Sequence, residues 1–116
     1  MKTRSAKNKG KKLQNDVRDM ILKNSPTLEK DLDVKSTTMG EQGEDIQLSA
    51  KARQLYPFSI ECKSKAAQAF YKDLDQAAKN CPVGCEPMLV AKANFRKPVV
   101  IIDADWFFNN WKPNEA

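Results

Sequence analysis

The chain has 116 residues, with 20 Lys and Arg against 15 Asp and Glu and no histidine, for a net charge of +5 and a pI near 9.2. That length suits one domain able to bury about two-thirds of its unfolded surface, and the positive balance favours a polyanionic partner such as nucleic acid. Without histidine there is no Ser-His-Asp or Cys-His device and no His-ligated zinc, which leaves carboxylate and lysine chemistry.

Residues 1–12, MKTRSAKNKGKK, carry Lys2, Arg4, Lys7, Lys9, Lys11 and Lys12 and no acid. They are expected to form a flexible basic arm, either a solvated tail or a phosphate-binding arm, ahead of a single domain over residues 13–116. The arm lacks the apolar centre of a secretory signal and no later run approaches a membrane span, so the expectation is a cytoplasmic protein with no membrane attachment. From Lys11 to Lys23, Leu13, Val17, Met20 and Ile21 recur at helical spacing and Ser25-Pro26 closes the segment, which predicts a first helix. Gln14 and Arg18 lie along the edge of that stripe. Arg18, with Lys9, Lys11 and Lys12, is expected to meet phosphates; Gln14 is either a boundary glutamine or a residue turned toward a functional site, with Asp16 the lesser candidate.

After a connector over residues 27–33, the run Val34-Lys-Ser-Thr-Thr38 reads as a first strand. The hydroxyls of Ser36, Thr37 and Thr38 are suited to hydrogen-bonding a phosphate, although Thr in a strand needs no such role. Asp-Ile-Gln-Leu48 is a second, shorter strand entered through Gly40 and Gly43, which permit a tight turn. Ser49 is placed to cap a helical turn over the residues that follow. Tyr56-Pro-Phe-Ser-Ile-Glu-Cys-Lys63 is a third strand with apolar Phe58, Ile60 and Cys62 alternating against Ser59, Glu61 and Lys63, so Glu61 and Lys63 share a face.

Two strands thus carry Asp45, Glu61 and Lys63 toward a common point. Phosphodiester hydrolysis asks for charge stabilisation at the phosphate and a deprotonated water, and a divalent ion held by hard oxygens supplies both. Asp45 and Glu61 are the expected ligands, with the backbone carbonyl of Cys62 a third, and Lys63 is expected to hold or deprotonate water and offset negative charge. Asp33-Val34-Lys35 fits the same acid-any-lysine pattern but has no acid-bearing strand upstream. A surface Glu61–Lys63 ion pair is the plain alternative.

Further along, Ala67, Phe70, Leu74, Ala77 and Ala78 form one apolar face, predicting a helix that packs on the sheet, with Lys65, Lys72 and Gln76 beside it. Lys65 joins the expected nucleic-acid-binding residues. Cys81 and Cys85 flank a turn; three cysteines cannot build a four-ligand zinc site and their odd number argues against a disulfide framework, so they read as reduced thiols. Residues 87–94 and 98–103 are two strands joined by a basic tip, Phe95-Arg96-Lys97. Asp103 or Asp105 caps a final aromatic helix, whose Trp106, Phe107 and Trp111 are either a core lid or a dimer surface.

Gly43-Glu44-Asp45-Ile46 followed by Ile60-Glu61-Cys62-Lys63 resembles the PD-(D/E)xK nuclease superfamily, most closely small archaeal Holliday-junction resolvases and related phage endonucleases. The resemblance runs through most of the chain. It implies a restriction-endonuclease-like fold, and the order of the elements gives an α/β architecture with a mixed central sheet of about five strands flanked by helices, the first three strands forming a meander. It also implies Mg2+ (Mn2+ substituting) at Asp45 and Glu61, with Lys63 catalytic. The family's first-motif proline is replaced by Glu44, and the acid those resolvases carry on their first helix falls on Gln14, which would orient a water rather than ligate strongly. The implied function is a metal-dependent endodeoxyribonuclease, selective for branched or junction DNA because no extra domain reads a base sequence, and homodimeric because a junction needs two symmetric cuts. The alternatives are a nonspecific or sequence-specific nickase, and an inactive nucleic-acid-binding protein on the same fold.

Overall fold

The computed structural model describes residues 4–38 and 40–113; Lys2 of the expected arm, Met39 and the last three residues lie outside them. The element order is α1 (Arg4–Asn24), β1 (Val34–Ser36), β2 (Ile46–Leu48), α2 (Ala50–Leu55), β3 (Phe58–Ser64), α3 (Phe70–Lys79), β4 (Glu86–Lys92), β5 (Val99–Ile101) and α4 (Ala104–Asn110). The first helix therefore begins at Arg4, and residues 4–12, expected as an arm, are its N-terminal turns. Lys9 and Lys11 are held from outside the helix, by Asn94 and Ser36 respectively, a tertiary support that local composition does not reveal.

The strands form two sheets, not the single five-stranded sheet expected. β1 and β2 make an antiparallel pair; β3, β4 and β5 make a mixed sheet in which β3–β4 is parallel and β4–β5 antiparallel. The break falls between β2 and β3. There the backbone contributes Asp45 N–H to the Ile60 carbonyl at 3.1 Å, but the next rung is made by a side chain, with Cys62 N–H donating to Asp45 Oδ2 at 2.7 Å. A carboxylate takes the place of a strand carbonyl, so the ladder stops at the residue that matters for the site.

Alternation on β3 decides what packs on each face. Ile60 and Cys62 meet α1, whose Leu13, Val17 and Ile21 repeat once per helical turn, and together with Leu28, Val34, Ile46, Ala52 and Val90 they form the core. α1 spans both sheets and ties them together. On the opposite face lie Ser59, Glu61 and Lys63, in register with Pro87, Leu89 and Ala91 of β4, and α3 covers them. That face of β3 is polar, so α3 buries Asp73 together with Ala77 of the expected stripe, while Ala67, Phe70 and Ala78 stay exposed. Asp73 pairs with Lys65 at 2.7 Å, and Ser59 Oγ donates to the Ala77 carbonyl at 3.2 Å.

β3 is buried on both faces over residues 59–62. In α4, capped by the Asp103 side chain on Trp106 N–H, Trp106 packs edge-on to Phe58 with ring centroids 5.1 Å apart, while Phe108 and Trp111 remain exposed. Ser49 caps α2 as expected, accepting from Ala52 N–H. No helix among the described residues is long and apolar enough to cross a membrane.

Candidate metal centre and nucleic-acid groove

Asp45 is delivered by a loop that needs two left-handed residues. Gly40 and Gly43 have φ of 91° and 108°, a region that disfavours any side chain. The loop is then tied back by Thr37, whose N–H donates to the Asp45 carbonyl at 2.9 Å and whose hydroxyl donates to the Glu44 carbonyl. The Glu44 side chain turns away from the site to a two-pronged ion pair with Arg53 at 2.9 and 3.1 Å. Glu44 therefore stands in a structural role where the resembled motif has proline.

Across from Asp45, β3 supplies the other groups. Glu61 is 3% exposed, and Lys63 Nζ stands 3.4 Å from its Oε2. Burial, and then the nearby charge of Asp45, push the Glu61 carboxyl up to about 7, against the pull of Lys63. Because the N–H and C=O of one strand residue point to the same side, and Cys62 N–H faces Asp45, the Cys62 carbonyl also faces that edge. The Cys62 thiol is in the core, its pKa raised by burial.

Gln14, Thr38, Asp45, Glu61, Cys62, Lys63 and Lys65 line one hollow of about 380 Å³. Gln14 lines it and Asp16 does not, being paired with Lys12 on the helix surface. The Gln14 side chain is buried and its Oε1 accepts from Ser36 Oγ at 2.9 Å, while its amide nitrogen can only donate. Ser36 also accepts from Lys11 Nζ at 3.1 Å.

The expected phosphate contacts divide. Ser36 and Thr37, expected at a phosphate, are buried and their hydroxyls bond to Gln14 and to the Glu44 carbonyl; Thr38 is the exposed one. Arg18 binds Asp19 and Asn15 on α1 and lies outside the hollow. Lys65 reaches the hollow but is held by Asp73. Lys9 and Lys12 line a neighbouring depression with Ser64, Lys92 and Phe95. The decoy Asp33 accepts from Glu29 N–H and Ser49 Oγ, each at 2.8 Å, which lowers its pKa and ties the connector to α2.

Residues beyond the expected set extend the site. A larger hollow of about 800 Å³ continues past Asp45 and Glu61 and is lined on one side by Lys72, Asp75, Gln76 and Lys79 of α3. Lys72, Gln76 and Lys79 stand four and three residues apart, a helical spacing that puts them on one face; that spacing is the signal in the sequence from which Lys79 could be found. The two hollows share Glu41, Asp45, Glu61 and Gln76, so they form one groove with the carboxylates at its waist.

Among the described residues no three acidic, cysteine or histidine side chains cluster as a metal cage. Two carboxylates and a strand carbonyl are nevertheless a donor set that fits Mg2+, which is commonly held by one or two carboxylates and completes its sphere with water and substrate phosphate. The raised pKa of Glu61 comes first from burial and then from the charge of Asp45, and a cation between the two carboxylates would relieve the second of these. No family model, curated protein or solved structure matches this chain.

Proposed function

We propose that the chain is a Mg2+-dependent DNA endonuclease, on a restriction-endonuclease-like variant of the α/β architecture, acting on branched or junction DNA. The observation that carries this reading is the meeting of Asp45, Glu61 and Lys63 at the waist of one open groove in a protein of net charge +5. Asp45, Glu61 and the Cys62 carbonyl hold the cation, with Mn2+ able to replace it. When bound, the cation polarises the phosphoryl oxygens and acidifies water.

The remaining work belongs to the chain. Lys63, held beside Glu61, orients the attacking water by donating to it and offsets charge that grows on the phosphate. Gln14 donates from its amide nitrogen to the water or to a phosphate oxygen. The burial of Glu61 strengthens these interactions by excluding solvent, and the Arg53–Glu44 pair keeps Asp45 in place. Free thiols at Cys62, Cys81 and Cys85 are in keeping with a reducing, cytoplasmic setting. Two symmetric cuts in a junction need two copies of the site, and the exposed Phe108 and Trp111 of α4 are the apolar surface on which a homodimer forms.

The test is cleavage of labelled four-way, splayed and linear DNA with magnesium or with chelator, comparing the wild type with Asp45→Asn and Lys63→Ala. Both variants are expected to lose cleavage while keeping DNA affinity within a few-fold. DNA binding with no cleavage by the wild type under any metal would reduce the protein to a binding module. A persistent monomer in sedimentation that nicks linear duplex as readily as junctions would leave a general nickase.

A further inference from the structure

Beside the groove, and sharing Ser64 with it, a depression reaches the β4–β5 turn, and there the chain exposes an aromatic ring in an unfavourable backbone conformation. Phe95 has φ of 60° and its side chain is fully exposed, at 102%. An L residue in the left-handed region is strained, and a phenyl ring in water has no packing to offset that strain. Folding therefore gives no reason for phenylalanine at this position, where glycine or asparagine would suit the turn better.

Its surroundings are cationic. Arg96 and Lys97 follow it on the exposed turn, and Lys9, Lys12 and Lys92 line with it a depression of about 370 Å³ whose one acid, Asp16, is paired with Lys12 at 2.9 Å. Lys9 is held against the turn by Asn94 at 3.2 Å. The location is set by register: Lys92 pairs with Ser64, the residue after Lys63, at the carboxyl ends of parallel β3 and β4. Phe95 lies three residues beyond Lys92, a reach of at most ~10 Å at ~3.3 Å per residue, which amounts to a few nucleotides at ~3.4 Å rise each.

Resting on the nuclease reading, we propose that Phe95 is a stacking platform for an unpaired base, with Lys9, Lys12, Lys92, Arg96 and Lys97 holding the phosphates on either side. A positively charged track interleaved with an exposed aromatic is what single-stranded nucleic acid requires, since every base presents a π-face and every linkage a charge. A fully paired blunt duplex offers Phe95 no open face except at its ends. The turn thereby makes the protein selective for DNA with unpaired bases beside the cleavage point, as at a branch.

The experiment measures the affinity of the full chain for labelled single-stranded oligothymidine and for a blunt duplex, in chelator, together with thermal melting. Phe95→Gly is expected to weaken single-strand binding about tenfold, the scale of losing one base–aromatic stack, and to raise the single-strand-to-duplex ratio of dissociation constants by a similar factor. Its melting temperature stays the same or rises, because glycine relieves the positive φ. Phe95→Trp restores single-strand binding. Phe95→Gly binding single strands as tightly as the wild type, or Phe95→Trp failing to restore a loss, overturns the proposal while leaving the nuclease reading in place. A wild-type protein that binds neither DNA overturns both.

Discussion

Replacing Glu61 with Gln isolates the electrostatic strain of the proposed metal site from its chemistry. Glu61 is almost fully buried and its carboxyl titrates at about 7 instead of 4.5. The folded chain therefore keeps this proton to a higher pH than the unfolded chain does. Between those values the native state binds more protons, so stability falls as pH rises and levels off above about 7. At roughly 1.4 kcal/mol per pH unit, the cost above pH 7 is at most about 3 kcal/mol. Gln has the shape of the protonated acid and carries no such cost. In chelator, urea unfolding should show Glu61→Gln up to about 3 kcal/mol more stable than the wild type near pH 8.5, and nearly equal to it near pH 4.5. Excess magnesium at the higher pH should raise the wild-type midpoint and move the variant little, because only the former binds the ion well. A difference between the two proteins that does not change with pH would refute the reasoning, and would mean that the Lys63 ion pair cancels the effects of burial and Asp45.

The Arg53–Glu44 pair gives a second expectation: Arg53→Met should lower stability by about 2 kcal/mol, the scale of charge-assisted hydrogen bonds in a partly buried place, and should reduce cleavage more than DNA affinity because the loop carrying Asp45 loosens. Denaturant midpoints and paired binding and cleavage assays check this, and a variant cleaving at the wild-type rate would remove Arg53 from any positioning role. A third concerns α1 and the salt dependence of binding. Lys9→Gln with Lys12→Gln should flatten the log-log slope of duplex affinity against salt by about two, roughly 0.9 for each phosphate that is no longer neutralised. An unchanged slope in fluorescence anisotropy would show that these lysines face no phosphate.

Much of the secondary structure was legible in local pattern. The period of Leu13, Val17 and Ile21, the alternation from Phe58 to Lys63, Ser49 as a cap and the two glycines before Asp45 each rest on interactions within a few residues. Face sharing by Glu61 and Lys63 followed from the strand alone. What local pattern lacked was the identity of the neighbours. Residues 4–12 read as an arm because they hold no acid and almost no apolar residue, yet they are helical with Lys9 and Lys11 held by Asn94 and Ser36, 85 and 25 positions away. Ser36 and Thr37 looked available for phosphate, and tertiary packing buried them under Gln14 and the Asp45 loop.

The sheet is the sharpest contrast. Strand identity is a local property, but pairing is not, and one carboxylate on Cys62 N–H ended the β2–β3 ladder that the meander required. The same packing made α3 bury Asp73, because it covers the polar face of β3. From the sequence alone came the type and approximate place of most elements and the three side chains of the proposed chemistry, since period, capping and strand alternation act over short range. Only the tertiary structure decided the two-sheet arrangement, the burial that raises Glu61, that Gln14 and not Asp16 lines the hollow and the exposed setting of Phe95, because each depends on long-range contacts or their absence.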